Sequence, residues 1–344
     1  MTTTSSPLVS RHSCAVPLGF GFMYLAWGAT YLGTKYAIVD LPVLLMSGTR
    51  FFLAGVLLLA GIALFDRANF RRGTMREWAQ AGGIGVLLLV FGIGTGNWTQ
   101  QYVSSSFCAM VFSGLPLWIV VIDWLRPGGR APTGMVAAGL LLGFAGIALI
   151  LAPQHGDGGK TASLGIGVLL VLASISWAAG AVFSRHVKTR GSALLSTARQ
   201  MIVAGAALLA IGSLHGDLAR VHPAEVRASA WLGFGYLLLI GSLSGYPVYL
   251  WLLRICPSSK VATIPYVNLL VAVFLGWTLG HEIVTPRLLA GTAIVLASVA
   301  IVLRAKEKSP GGPDDSLSLP PSLIEEQLPM SALRENEGRA KTRG

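Results

Sequence analysis

Ten long apolar runs dominate the chain, separated by short polar stretches in which the arginines and lysines collect. The runs cover roughly 17–39, 42–65, 79–99, 103–125, 133–152, 164–184, 193–214, 231–253, 260–280 and 284–303. Crossing ~30 Å of hydrocarbon takes about 20 apolar residues in helical form, and each run reaches about that length. Backbone N–H and C=O groups find no water at that depth, so each run must satisfy them internally as helix. The runs are continuous and lack the alternation of barrel strands. The pattern therefore predicts an all-α membrane protein with ten transmembrane helices. The first run, from Pro17 to Val39, is too long for the apolar core of a cleavable signal peptide and reads as the first span.

Composition agrees. Of 344 residues, 53% are hydrophobic and only 12% charged, with a mean hydropathy of +0.65. Soluble domains carry about 25% charged residues, so this chain needs lipid as its solvent. The net charge of +11 would suggest a nucleic-acid partner in a soluble protein. Here the basic residues sit between spans, which points to membrane orientation and to no nucleic acid.

Their distribution is lopsided. The side holding the N-terminus carries nineteen Lys and Arg, among them Arg67, Arg72, Arg76, Arg126, Lys188 and Arg254, against four on the other side, Lys160, Arg220, Arg227 and Arg287. That excess predicts both termini in the cytoplasm and the protein in the cytoplasmic membrane. The cysteines Cys14, Cys108 and Cys256 are scattered and form no metal-binding or disulfide pattern.

A weak internal repeat runs through the apolar pattern. WGATYLGTK from Trp27 pairs with WAAGAVFSR from Trp177, aligning Lys35 with Arg185. RFFLAG from Arg50 pairs with QMIVAG from Gln200, and Ala138-Gly139 with Ala290-Gly291. The order and the nearly constant offset imply a duplicated unit. Five spans per unit is an odd number, so the second copy enters the membrane from the opposite side. The division expected is a cytoplasmic segment 1–16, a first five-helix repeat 17–152, a second 164–303, and a disordered cytoplasmic tail 304–344. Small-x-x-x-small pairs at Gly92/Gly96, Gly139/Gly143, Gly241/Gly245 and Gly276/Gly280 provide for close helix packing.

AWGATYLGTKYAI near the start, LPVLLMSGTRFFLAGVLLL in the second span, the Pro116-containing fourth span, ISWAAGAVFSR and YVNLLVAVFLGWTLGHE together resemble the drug/metabolite transporter superfamily, EamA branch. The resemblance covers roughly 17–303. It implies two inverted five-helix units around a central cavity and movement of small metabolites by alternating access. That family often closes its fourth and ninth spans with a Gly-Glu pair; this chain has Gly129-Arg130 and His281-Glu282.

The expected function is therefore a secondary transporter, exporting or exchanging small organic metabolites or drug-like solutes. The alternatives are a membrane-embedded enzyme or a solute-sensing receptor. An enzyme would want a catalytic cluster at membrane depth, and none is visible, so no catalytic residue, metal or cofactor is assigned. The expected partners are a small-molecule substrate and membrane lipid.

Candidate cavity residues are Trp27, Tyr31, Arg50, Asn97, Trp177, Tyr246, Tyr266 and Asn268. Lys35, Arg50 and Arg199 are cations inside spans, where insertion costs roughly 2.5–3.5 kcal/mol. They would attract a carboxylate-bearing substrate or else snorkel to headgroups. The polar candidates would bind substrate or join helices. Pro116, Pro247 and Pro265 would kink their spans. No carboxylate or imidazole falls near the midplane, which argues against a carboxylate proton relay and for facilitated diffusion or exchange.

Overall fold

The computed structural model describes residues 8–67, 70, 72–129, 131–152, 164–187, 192–256, 261 and 263–307. The expected tail beyond residue 307 and the chain before Leu8 lie outside these residues. Among the described residues there is no strand, and eight continuous helical runs are long and apolar enough to cross a membrane. Ile264–Thr278 is a shorter apolar helix. Leu8–Gly28, continued after a break by Thr30–Ala37, supplies the first span.

Several boundaries move outward from the apolar runs. The first helix begins at Leu8 and contains Pro17, so it reaches back into the segment 1–16. The third begins at Met75, because Thr74 and Glu77 form a reciprocal capping box. Ser104 and Ser192 cap the fourth and seventh spans by accepting from Phe107 N and Leu195 N.

Prolines punctuate the spans in two ways. The fourth span is split into Ser105–Phe112 and Leu115–Leu125, with Pro116 in the first turn of the second piece. Pro265 opens the ninth helix instead of kinking it, since its missing N–H costs nothing in a first turn. The third and eighth spans each carry a π-helical stretch at the same place, Val86–Gly94 and Leu237–Ser244.

The second and seventh spans run along one another, as do the fifth and tenth. In the first pair Gly48 faces Leu209 and Gly205, while Gly55 faces Ala198 and Ile202. In the second, Gly139 faces Val302 and Gly146 faces Val295 and Gly291. As numbers rise on one helix they fall on the other, so equivalent spans of the two halves pack antiparallel. The fold is two inverted five-helix repeats.

Small residues make these seams possible. A Cβ on Gly55 would lie 2.7 Å from the Ala198 carbonyl oxygen, and one on Gly205 would collide with the Phe52 backbone. The other small pairs also meet neighbours: Gly92 meets Trp177, Gly96 meets Phe112 and Gly245 meets Trp27. Gly280 differs, packing on its own helix at Gly276. Large side chains such as Leu18, Leu64, Leu141 and Leu232 remain exposed. Buried Arg50, Asn97, Ser174 and Ser242 lie inside. Apolar groups outside and polar ones inside is the distribution a lipid solvent demands.

Gly205→Val should therefore lower thermal stability in detergent by about 1–3 kcal/mol, through overpacking against backbone. Gly83→Ala, where an added methyl meets nothing within 4 Å, should be neutral or slightly stabilising. Equal melting temperatures for the two variants would contradict the seam.

Candidate functional site

A cavity of about 200 Å³ lies between the halves, lined from the first four spans and from the sixth, eighth and ninth. Trp27, Tyr31, Arg50, Asn97, Trp177, Tyr246 and Asn268 all line it. Tyr266 does not; it packs against the apolar cluster around Leu269 and Ala272. Thr30, Thr34, Cys108 and Phe112 also line the cavity, though the apolar pattern did not single them out.

Most polar candidates are engaged in joining helices. Trp27 Nε1 donates to the Gly241 carbonyl at 3.2 Å, tying the first span to the π-helical stretch of the eighth. Ser176 Oγ donates to the Leu87 carbonyl at 2.9 Å, tying the sixth span to the matching stretch of the third. Asn97 Nδ2 donates to Ser47 Oγ at 3.0 Å. With its amide oriented to satisfy its neighbours, Asn268 donates to the carbonyls of Met23, Tyr24 and Ile264, each at 3.2 Å. The indole of Trp27 packs on Tyr246 and Tyr249, with ring centroids 5.6 and 5.0 Å away.

Arg50 is the charged side chain in the cavity wall. It is 5% exposed, its Nε donates to Ser242 Oγ at 2.9 Å, and its guanidinium lies over the Phe51 ring. Ion pairs among the described residues join other cations to acids, and none reaches Arg50.

The other two intramembrane cations have different fates. Arg199 pairs with Glu77 at 3.8 Å and stacks over Trp78, away from the cavity. It neither snorkels nor lines the cavity. Gly73, at φ +77°, supplies the left-handed turn and the lack of a side chain that let the loop pass over its guanidinium. Lys35 Nζ donates to the Gly280 carbonyl at 2.6 Å and to Glu282 Oε1 at 3.0 Å.

Glu282 is the most heavily bonded carboxylate among the described residues. Oε1 accepts from Ser105 N and Oγ at 2.9 and 2.7 Å, and Oε2 from Ser106 N and Oγ at 2.9 and 2.6 Å. A carboxylate from the second half thus caps the N-terminus of the fourth span in the first half, where the helix dipole favours negative charge. His281, at φ 51°, turns the chain through the left-handed region and aims Glu282 back at the bundle. Glycine adopts that conformation most easily, which explains why a Gly-Glu pair suits this corner. Burial pushes the Glu282 carboxyl up, but the hydrogen bonds from Ser106 and Ser105 outweigh it and hold the group below its ordinary range.

The same end of the bundle carries Asp40, which accepts from Arg227 N, Nε and Nη2 at 2.8 to 3.2 Å and is held below its ordinary pKa by those bonds. Lys35 lies near the close of the first span, so both contacts sit opposite the end from which that span begins. Together they bind the halves to each other at one mouth.

Comparison with known proteins fits this architecture. The EamA-like transporter family matches residues 18–152 and again 165–304. The chain is 30% identical over 293 residues to an uncharacterized inner membrane transporter, YedA, of Escherichia coli (strain K12), covering 85% of this chain and 91% of that one. It is 28% identical to an uncharacterized transporter, YvbV, of Bacillus subtilis (strain 168), over 82% and 89% of the two chains. A solved structure described only as the crystal structure of a protein shares the fold, with a TM-score of 0.58 at 18% identity over 86% of this chain and 99% of that one.

Because the folded carboxyl is depressed, its stabilisation is present above the ordinary carboxylate range and is lost as pH falls through it. Glu282→Gln should cost about 2–4 kcal/mol at pH 7, since an amide cannot accept from four donors and lacks the charge. The gap from the parent protein should begin to narrow in acid, where the unfolded chain takes up a proton that the folded Glu282 resists. Melting curves in detergent at pH 7 and pH 4 check this; a gap that widens in acid would contradict it.

Proposed function

This chain belongs to the EamA-like transporter family, and from that premise we propose that it is a secondary transporter of small organic metabolites or drug-like solutes, acting by alternating access. It is an integral membrane protein, and its similarity to inner membrane transporters favours the cytoplasmic membrane. The observation that carries the reading is a central cavity lined by both halves and bridged at one mouth by Lys35, Glu282, Ser105 and Ser106.

In this reading the bridge is an extracellular gate. The excess of Lys and Arg at the opposite end supports that orientation, with both termini in the cytoplasm. Closing the gate seats the carboxylate on the helix N-terminus; opening it strips five hydrogen bonds from Glu282. The antiparallel seams supply rigid bodies that rock about the cavity. Export or exchange of solute follows from the two faces opening in turn, and the cavity volume suits a small molecule rather than a lipid.

Purified protein in liposomes should give solute-specific flux, with saturation and competition; saturable binding without flux would overturn the transport reading. The gate has its own test, because Cys108 lines the cavity. With Cys14 and Cys256 replaced by serine, Cys108 should resist a membrane-impermeant maleimide applied from outside. Glu282→Gln or Lys35→Met should raise its labelling several-fold. Unchanged labelling in both variants would rule out this bridge as the outer gate.

A further inference from the structure

We propose that the cavity is a receptor for a small organic monocarboxylate with an apolar or aromatic body, its carboxylate held end-on by Arg50. This rests on the transporter reading above and narrows its substrate class. Arg50 is nine-tenths buried, lines the cavity, and is paired with no acid among the described residues. A cation so placed in a membrane protein calls for an opposite charge.

The geometry says which part of the guanidinium is open. Nε is occupied by Ser242 Oγ at 2.9 Å, and the Phe51 ring covers one face. What remains is the pair of terminal nitrogens, the fork that matches the two oxygens of a carboxylate. Gly241 keeps the space beside that fork clear, since a Cβ there would stand 3.2 Å from Nη2.

Charge counting sets the ligand class. Among the described lining residues Arg50 carries the charge, and no Asp or Glu faces it across the cavity. One positive charge balances one negative charge. A dianion would keep an uncompensated charge in a low-dielectric site, and an amino acid would bring an ammonium with no acid to meet it. Asn97 spends one donor on Ser47 and Asn268 spends its amide on backbone carbonyls, and Arg50 is the charged anchor of the wall. Trp27, Phe112, Trp177 and Tyr246 supply an aromatic wall for the rest of the molecule.

A headgroup series on one body tests this in the full-length wild-type protein. Phenylacetate, phenylacetamide, phenylalanine and phenethylamine share a phenyl group and differ in charge. Apparent dissociation constants from ligand-dependent thermal shifts in detergent should place phenylacetate at least tenfold tighter than phenylacetamide and phenylalanine, with phenethylamine weakest. Arg50→Gln should reduce the acid-over-amide preference to less than threefold, and Arg50→Lys should retain part of it. Equal affinity for acid and amide in the wild type, tightest binding of the amine, or an undiminished preference in Arg50→Gln would each overturn the proposal. The wild-type series needs no variant to fold. Acid-selective binding without phenylacetate flux in liposomes would sink transport and leave the receptor intact, whereas flux without acid preference would do the reverse.

Discussion

The structure depends on backbone-to-backbone contact between helices that have no hydrophobic force to bring them together. Lipid tails are as apolar as the leucines they would release, so association in the membrane comes from close packing and interhelical hydrogen bonds. Gly48, Gly55 and Gly205 let the second and seventh spans touch, and Gly139, Gly146 and Gly291 do the same for the fifth and tenth. Because each seam joins equivalent helices of the two halves in antiparallel sense, the two seams together fix the inverted symmetry. The cavity exists because the first, third, fourth, sixth, eighth and ninth spans are left to meet around the remaining space, with the π-helical stretches of the third and eighth pointing backbone carbonyls at partners from the other half.

Charges are then placed where packing allows them to be met. Arg199 is met by Glu77, a residue that also completes the cap of the third span. Lys35 is met by Glu282, which in turn caps the fourth. In both cases one carboxylate serves a helix end and a cation together, so each intramembrane charge is neutralised without an extra acid in the hydrocarbon. Arg50 breaks this rule. The same economy that supplies partners for the other two makes its lack of one among the described residues meaningful.

Much of this architecture is legible in the sequence, because membrane depth leaves the chain few choices. Run length fixes the spans, the odd count fixes the inversion, and the aligned Lys35 and Arg185 mark the repeat. The ends of helices are less legible from hydropathy alone. Thr74 and Glu77 extend the third span by a turn through hydrogen bonds that apolar periodicity does not register, and Pro265 looks the same in sequence whether it opens a helix or bends one. Seven of the eight cavity candidates line the cavity and Tyr266 does not, because residue type says which groups are polar and not which way each one points. The Glu282 bridge was beyond reach for a different reason. Ser105 and Glu282 are 177 positions apart, and nothing local in SSSF or GHE says that one will cap the other. Taken separately, Glu282 is a loop acid and Lys35 a cation free to snorkel.

The inverted repeat also explains why a bridge at one mouth matters more than its bond count suggests. Perfectly symmetric halves would close both mouths with the same contacts, and the two closed states would be equal in energy. In the proposed carrier the symmetry is broken where it would govern that balance. Lys35 has Arg185 as its counterpart, but the corner that holds His281-Glu282 in the second half reads Gly129-Arg130 in the first, so the acid has become a base. A carboxylate capped by two serines and a lysine therefore ties the halves at one mouth, and the matching corner of the first half carries no acid in sequence. In an alternating carrier, that difference must be offset by whatever enters the cavity, because a ligand shifts a two-state balance only by its unequal affinity for the two states. An anion on Arg50 can supply that offset. It would neutralise the one cavity charge left unmatched among the described residues, in a cavity whose walls come from both halves.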